Sequence, residues 1–430
     1  MMTSQIKNYT HYFLLLFIVL CGLGNLKLYI SSLVYWLLTT TSVLLFCLAN
    51  YRKDYLSTTF SLIRQNLSWT LGWGLLISGI IVSDYFNNVN NTTTIIKFLI
   101  FFLLSIALME ALQTDNSSYK KGLILSLILN FVALVVLILL KQIELLVVLG
   151  DGRSGWLFNW PGKLWYVGAF LWPFIFLKII TTNQKVYWCY AFLALTVMAL
   201  DGSRTAMLWI LLTTLPMILI TFIVINKKKW GINLLLSILL IAFIYGVIQP
   251  ISLSWIRQSG SFISNTNTNT NTNTNTNTNT NTNTNTPPLI HSRIIGGETS
   301  TRARMIQQGI ESSINNFPIG SGLGTTTATE ADGSQAVIHM TYLQILADIG
   351  FLSFLGYFLI LITPIVNALR FIFSNKNKIY QRFQNTILPL SIFGLFTFTG
   401  LLHPLSNELT EWGIIIIAAS LLMNLKNLRH

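Results

Sequence analysis

Long apolar runs recur along the whole chain, and they constrain its fold more than any other feature. Each run is roughly 17–25 residues long, enough for a helix to cross about 30 Å of hydrocarbon. Backbone amides in lipid must be satisfied within the segment, so each run is expected to be an α-helix. Only 10% of the residues are charged, against about a quarter in a soluble domain. The sequence therefore predicts an all-α, polytopic integral membrane protein.

The runs predict about twelve transmembrane helices in three parts. Residues 1–249 hold helices 1 to 9, residues 250–338 form one large periplasmic loop, and residues 339–430 hold helices 10 to 12. The predicted spans are about residues 10–30, 31–50, 67–86, 93–113, 121–141, 163–181, 185–201, 204–225, 231–249, 339–369, 385–402 and 408–425.

Basic residues cluster in every second connection, which predicts the orientation. The clusters follow the even-numbered spans, at Arg52, Lys53, Arg64, Lys120, Lys121, Lys178, Lys185, Lys227, Lys228, Lys229, Arg370, Lys376, Lys378, Arg382, Lys426 and Arg429. Lys27, Lys141 and Lys163 are isolated exceptions. The positive-inside bias then places both termini in the cytoplasm. It also accounts for the net charge of +13 without a nucleic-acid partner.

The large loop is predicted to contain a linker and a helix. Residues 265–286 are an uninterrupted Asn-Thr alternation with no apolar face to bury, so we expect a disordered linker. A polar adhesive surface is the alternative. In residues 301–316, Met305, Ile306, Ile310 and Ile314 form one apolar stripe of an amphipathic helix. Such a helix either lies along the membrane or packs on the bundle.

The connections predicted to face outward hold the unusual polar residues Arg153, Arg204, Arg302, Arg304 and His339. At about 100° per residue, Arg302 projects on the apolar side of its helix, whereas Arg304 points away and is expected to be solvated. Burying a guanidinium without a partner is costly, so Arg302 should meet an anion. The alternative is that Arg302 reaches a lipid phosphate.

Arg204 and His339 each have a structural and a functional interpretation. Arg204 either pairs with Asp201 or clamps a phosphate, whose oxygens its planar fork matches. A lone histidine at a helix start is usually structural, yet an imidazole can also take up a proton near neutral pH. The outward acidic residues are scattered, and no metal-ligand spacing is present, so we expect a metal-independent site.

Several short motifs, in this order, resemble the O-antigen ligase and O-antigen polymerase superfamily of bacterial membrane glycosyltransferases. They are Gly-Arg-Ser-Gly at 152–155, Gly-Ser-Arg-Thr-Ala at 202–206, Ser-Thr-Arg at 300–302 with Pro-Ile-Gly-Ser-Gly at 318–322, His-Met-Thr-Tyr-Leu at 339–343 and Asp-Ile-Gly-Phe at 348–351. The resemblance covers roughly the second half of the chain, plus the segment at 152–155 before the sixth predicted span. Ile306 replaces a tryptophan often found in the superfamily, and the Asn-Thr tract is an addition to its pattern.

This resemblance implies an activity on the periplasmic face of the bacterial inner membrane. The superfamily transfers a glycan from undecaprenyl diphosphate to an acceptor hydroxyl, with no cofactor. Arg204 and Arg302 would hold the donor diphosphate, and His339 would be the general base. Arg153, Arg304 and Tyr342 are further candidates for substrate binding. Direct displacement would invert the anomeric centre.

The acceptor is open at this point. A ligase uses lipid A-core, a polymerase uses another lipid-linked glycan, and an oligosaccharyltransferase uses a protein side chain. One large outward loop late in the chain favours the ligase. From a different class, a lipid-linked glycan flippase would show internal repeats, broken helices and ionisable residues at mid-membrane. The sequence has no visible internal repeat, which favours an enzyme.

Overall fold

The protein is a bundle of helices with one small β-ribbon. The computed structural model describes residues 2–26, 30–49, 61–112, 118–140, 165–182, 184–201, 203–224, 230–250, 298–329, 335–375, 378–406 and 408–425. Arg153 and the Asn-Thr tract at 265–286, both singled out in the sequence, lie outside the described residues.

The first half of the chain contributes nine of the described helices. They are α1 (Met2–Gly22), α2 (Ser32–Ala49), α3 (Leu67–Phe86), α4 (Thr92–Ala111), α5 (Ser118–Leu140), α6 (Trp165–Thr181), α7 (Val186–Leu200), α8 (Arg204–Val224) and α9 (Trp230–Phe243). A π-helical turn, Ile244–Ile248, extends α9.

The second half begins with a helix outside the predicted spans. This half contains α10 (Glu298–Asn315), the antiparallel strands β1 (Thr327–Thr329) and β2 (Gln335–Val337), α11 (Thr341–Gln344) with the π-turn Ile345–Ile349, α12 (Gly350–Phe373), α13 (Ile379–Thr399) and α14 (Leu409–Met423).

The helical membrane fold predicted from the sequence is confirmed. Among the described residues, six helical segments are long and apolar enough to cross a membrane: Ser32–Ala49, Leu67–Phe86, Thr92–Ala111, Ser118–Val136, Gly231–Ile248 and Thr341–Phe373. Shorter apolar helices accompany them at His11–Gly22, Trp165–Thr181, Val186–Leu200, Thr205–Leu219 and Glu411–Met423. Helix α13 has 21 residues but begins with a polar stretch that includes Arg382 and Asn385.

Small residues set the closest helix contact, between α3 and α12. A Cβ atom on Gly72 would lie 2.9 Å from the carbonyl oxygen of Gly356, and Gly79 directly faces Ser353. Small side chains let backbones approach in this way inside membranes, where packing rather than hydrophobic transfer holds helices together. This contact holds α12 in place, and with it the segment Thr341–Ile349 that precedes α12.

The predicted span at 339–369 is not one helix. The backbone leaves helical geometry at Gly350, where φ is +80°. The rings of Tyr342 and Tyr357 are therefore 5.9 Å apart, whereas 15 residues of straight helix would separate them by about 22 Å. The short segment Thr341–Ile349 thus lies at an angle to α12. His339 lies two residues before this angled segment.

Candidate functional site

A glycine-rich turn packs directly on the segment that follows His339. Gly320, Gly322 and Gly324 all have positive φ, at +86°, +100° and +80°. Such values are accessible to glycine at little cost. A Cβ atom at Gly320 would lie 2.5 Å from the carbonyl oxygen of Asp348. We call residues 320–324 the glycine loop; its close approach depends on the absence of side chains at Gly320 and Gly322.

Asp348 is the centre of the hydrogen bonds that hold the glycine loop. Its side chain is fully buried. Oδ2 accepts from the backbone N–H of Gly324 at 2.9 Å, and Oδ1 accepts from that of Thr326 at 3.0 Å. The amide of Gln344 donates to Oδ2 at 3.3 Å. Because a buried carboxylate without such donors would be costly, Asp348 has a structural role in shaping the site.

The end of α3 holds the glycine loop from the other side. Ser83 Oγ donates to the carbonyl oxygen of Asp348 at 2.7 Å and accepts from the N–H of Gly322 at 3.1 Å. The Asn87 amide donates to the carbonyl oxygen of Gly320 at 3.0 Å. The Ser83 hydroxyl thus joins the end of α3 to the glycine loop and to the π-turn that holds Asp348.

Asp84 and Asn91 complete this attachment. Asp84 Oδ1 accepts from the N–H of Leu323 at 3.0 Å and from the Asn91 amide at 3.2 Å. The same amide donates to the carbonyl oxygen of Leu323 at 3.0 Å. Sequence reasoning did not identify these residues. A visible signal was the stretch 83–91, which begins in the last turn of a predicted span and holds Asp84 and several asparagines.

His339 lies between β2 and α11, at the same end of the bundle. Its side chain is half-buried, and its Nδ1 atom is buried with no hydrogen-bond partner among the described residues. Two bonds of Thr341 fix the next turn: its N–H donates to the Gly400 carbonyl at 2.8 Å and its hydroxyl to that of His403 at 2.7 Å. His339 therefore has a fixed backbone and a buried imidazole nitrogen that no described residue engages.

Tyr342, a candidate for substrate binding, is engaged by the protein itself. Its hydroxyl donates to the carbonyl oxygen of Thr397 at 2.7 Å, and its ring packs against Tyr357. Its proton is thus already used in a bond between α11 and α13. The arrangement favours a positioning role for Tyr342 over direct contact with a substrate.

A cleft opens beside α11. Its polar groups come from Tyr166, Thr341, Thr399, His403 and Glu411. Its apolar walls come from Val167, Phe170, Tyr357, Phe396, Ile414 and Ile415. A concave, largely apolar space with a few convergent polar groups is the usual form of a small-molecule site. We call this end of the bundle, with the cleft, His339 and the glycine loop, the site end.

Helix α10 lies against the segment that carries His339. A Cβ atom on Gly309 would lie 2.9 Å from Ile338 Cδ1 and 2.6 Å from Leu343 Cδ2. These two residues bracket His339 and Tyr342 in sequence. Arg302 is seven residues before Gly309, so at about 100° per residue its position falls on this same packed face. The structure describes the backbone of Arg302 but not its side chain.

The other two arginines differ in their placement. Arg204 is the first residue of α8, and its side chain also lies outside the described part. The preceding Asp201 is buried and lies near Tyr166, which lines the cleft. Arg304 is exposed, as the sequence predicted. The structure therefore brings the backbone positions of Arg204 and Arg302 to the end of the bundle that holds His339.

The chain matches no protein-family model and no curated protein. Among the described residues, no group of three or more His, Cys, Asp or Glu side chains could hold a metal ion.

Proposed function

We propose that the protein is a glycosyltransferase, similar to O-antigen ligases, that works at the periplasmic face of the bacterial inner membrane. It would move a glycan from undecaprenyl diphosphate to a hydroxyl of lipid A-core. One observation carries the proposal: α10, which bears Arg302, packs through Gly309 on the segment that holds His339, beside the cleft. The proposed proton acceptor and an arginine-bearing helix then lie side by side, and Thr341, two residues after His339, lines the cleft.

The proposal includes twelve spans with both termini in the cytoplasm. Basic side chains at the end opposite the site support this orientation. The ammonium groups of Lys120 and Lys178 lie 5.7 and 5.8 Å from the ring of Phe174. The guanidinium of Arg382 lies 4.8 Å from the ring of Phe371. Cations gather at the cytoplasmic ends of membrane helices, so the site end would face the periplasm.

In the proposed reaction, His339 accepts the proton of the acceptor hydroxyl as its oxygen attacks the anomeric carbon. The bond from that carbon to the donor diphosphate breaks, and undecaprenyl diphosphate leaves with the electron pair. Arg204 and Arg302 would stabilise the negative charge that develops on the leaving group. Attack opposite the leaving group inverts the anomeric centre. No step requires a metal or a cofactor.

Two groups of alternatives remain as candidate functions. A polymerase or a protein oligosaccharyltransferase would use the same donor and differ in the acceptor. A lipid-linked glycan flippase is favoured by one observation, the broken backbone at Gly350, because transporters often build their sites from discontinuous helices. The Nδ1 of His339 has no hydrogen-bond partner among the described residues, which supports the enzyme, because a general base needs a nitrogen that is not already engaged.

The test is glycan transfer in membranes that contain His339→Ala, Arg302→Ala or Arg204→Ala at matched expression. We expect capped lipopolysaccharide to fall by about 10²-fold or more for His339→Ala, since general bases contribute typically 10²–10⁴-fold. Full-length lipid-linked chains should accumulate. Glu311→Ala is the matched control, because Glu311 is exposed on α10.

Each other outcome has a defined meaning. If single repeat units remain instead of full-length chains, the protein is a polymerase. If lipopolysaccharide is unchanged and glycosylated protein is lost, it is an oligosaccharyltransferase. Wild-type transfer in all three variants would refute the catalytic assignment and favour the flippase.

A further inference from the structure

Helix α10 has an apolar row that the bundle does not cover. Its packed face contains Met305, which is 4% exposed, and Gly309. On the neighbouring face, Ile306, Ile310 and Ile314 are 42%, 46% and 70% exposed. Three exposed isoleucines in a row on a helix outside the predicted spans need an apolar environment.

This row continues into the outer surface of a membrane helix. Phe317, directly after α10, is 63% exposed and its ring lies 5.9 Å from that of Phe351. Phe351 is near the start of α12 and is followed along the exposed side by Leu352, Leu355 and Phe358. Helix α12 makes up most of the apolar segment Thr341–Phe373, which is long and apolar enough to cross a membrane, so we expect the exposed side of α12 to face hydrocarbon. The isoleucine row is contiguous with that surface.

Exposed aromatic residues also lie at the end of the neighbouring helix, α3. Tyr85 and Phe86 end α3 and are 78% and 63% exposed. Aromatic side chains concentrate where a bilayer meets water. Asn87, the next residue, is hydrogen-bonded to Gly320 of the glycine loop. The loop that ends α10 is therefore fixed close to the level of these aromatics.

We propose that Ile306, Ile310, Ile314 and Phe317 form a lipid-binding surface, with α10 lying along the bilayer and this row inserted among the acyl chains just below the headgroups. Interfacial helices bury such a face by about 5–10 Å. The occupant is lipid rather than a partner protein, because the row is continuous with the lipid-facing side of α12. The opposite side of α10 is polar and includes Arg304 and Asn315.

The lipid-binding surface would also set the height of Arg302 relative to the bilayer, whatever reaction the protein performs. A helix held between the bundle and the bilayer keeps a fixed height. The backbone position of Arg302 then lies near the level of lipid headgroups, where phosphates are concentrated. This inference goes beyond glycan transfer, and its test requires no activity.

The experiment compares two labelled cysteines on α10 in proteoliposomes of phosphatidylethanolamine and phosphatidylglycerol. Ile310→Cys and Asn315→Cys are each made with Cys189→Ser, since Cys189 is the exposed cysteine among the described residues. Asn315 lies about 140° around the helix from Ile310. Both positions are exposed, so neither substitution disturbs packing. Each is labelled with an environment-sensitive fluorophore and exposed to doxyl lipids or to iodide.

Doxyl lipids are expected to quench the label at 310 several-fold more than the label at 315, and iodide to show the reverse order. Equal quenching at the two positions would overturn the proposal. Protection of the label at 310 from both quenchers would also overturn it, because protein would then cover the row. Ile306→Cys and Glu311→Cys, which also lie about 140° apart on the helix, form a second pair that guards against a local effect of one substitution.

Discussion

At the scale of single residues, Asp348 is the side chain on which the site depends most. Its carboxylate accepts from two backbone N–H groups and one amide, and its carbonyl oxygen accepts from Ser83 and from Gly322. The motif at 348–351 marked Asp348 only as part of a helix. Gln344 is four residues away on the same segment. The other partners were hidden in the sequence, because Ser83 lies 265 residues away and the rest belong to an irregular turn.

Asp348→Asn is expected to lower the free energy of unfolding by about 1.5–3 kcal/mol, the usual contribution of a hydrogen bond to a charged group. The asparagine amide would present a donor to the N–H of Gly324 or Thr326, leaving one of them unsatisfied. Unfolding in mixed micelles at increasing denaturant measures the change. Glu311→Gln, at an exposed site on α10, should stay within about 0.5 kcal/mol. Equal stability of the two variants would show that Asp348 does not hold the loop.

At the scale of elements, α10 shows what a helical pattern can and cannot tell. The spacing of Met305, Ile306, Ile310 and Ile314 predicts a helix over 301–316, and the structure has one at Glu298–Asn315. The four side chains do not lie on one face of it. Met305 packs on the bundle while the isoleucines are exposed. The packed face uses Gly309 and Ser313, whose small size matters more there than their polarity.

The pairing of α3 with α12 makes a matched prediction about two glycines of one helix. Gly72→Leu is expected to destabilise the protein by about 1–3 kcal/mol, since overpacking a close contact forces the backbones apart. A Cβ atom at Gly72 meets Gly356, whereas one at Gly74 meets nothing within 4 Å. Gly74→Leu should therefore be neutral or slightly stabilising. The measurement is the folded, monodisperse fraction after graded heating in detergent; equal losses would refute the close pairing.

At the scale of the whole molecule, the charge pattern predicts the orientation of the protein in the membrane, and this can be tested directly. Asn315→Cys at the site end should react with a membrane-impermeant maleimide in intact spheroplasts. Lys378→Cys, exposed in the connection between α12 and α13, should react only after the membrane is permeabilised. This labelling pattern is expected because basic residues are concentrated at the end opposite the site, and such residues face the cytoplasm. The reverse labelling pattern would place the site in the cytoplasm and exclude a periplasmic transferase.

The sequence by itself determined the helical membrane class, because hydropathy accumulates along consecutive residues and lipid permits little besides helices. It also placed His339, Arg204 and Arg302 at helix starts or on a helix face, since those are local patterns. The number of spans and the glycan chemistry stay predictions. Only the tertiary structure decided that the chain breaks at Gly350, that Ser83 and Asp84 hold the glycine loop, and that α10 rests on the His339 segment. Those features are contacts between distant residues, and their geometry depends on how glycines and buried polar groups pack in three dimensions.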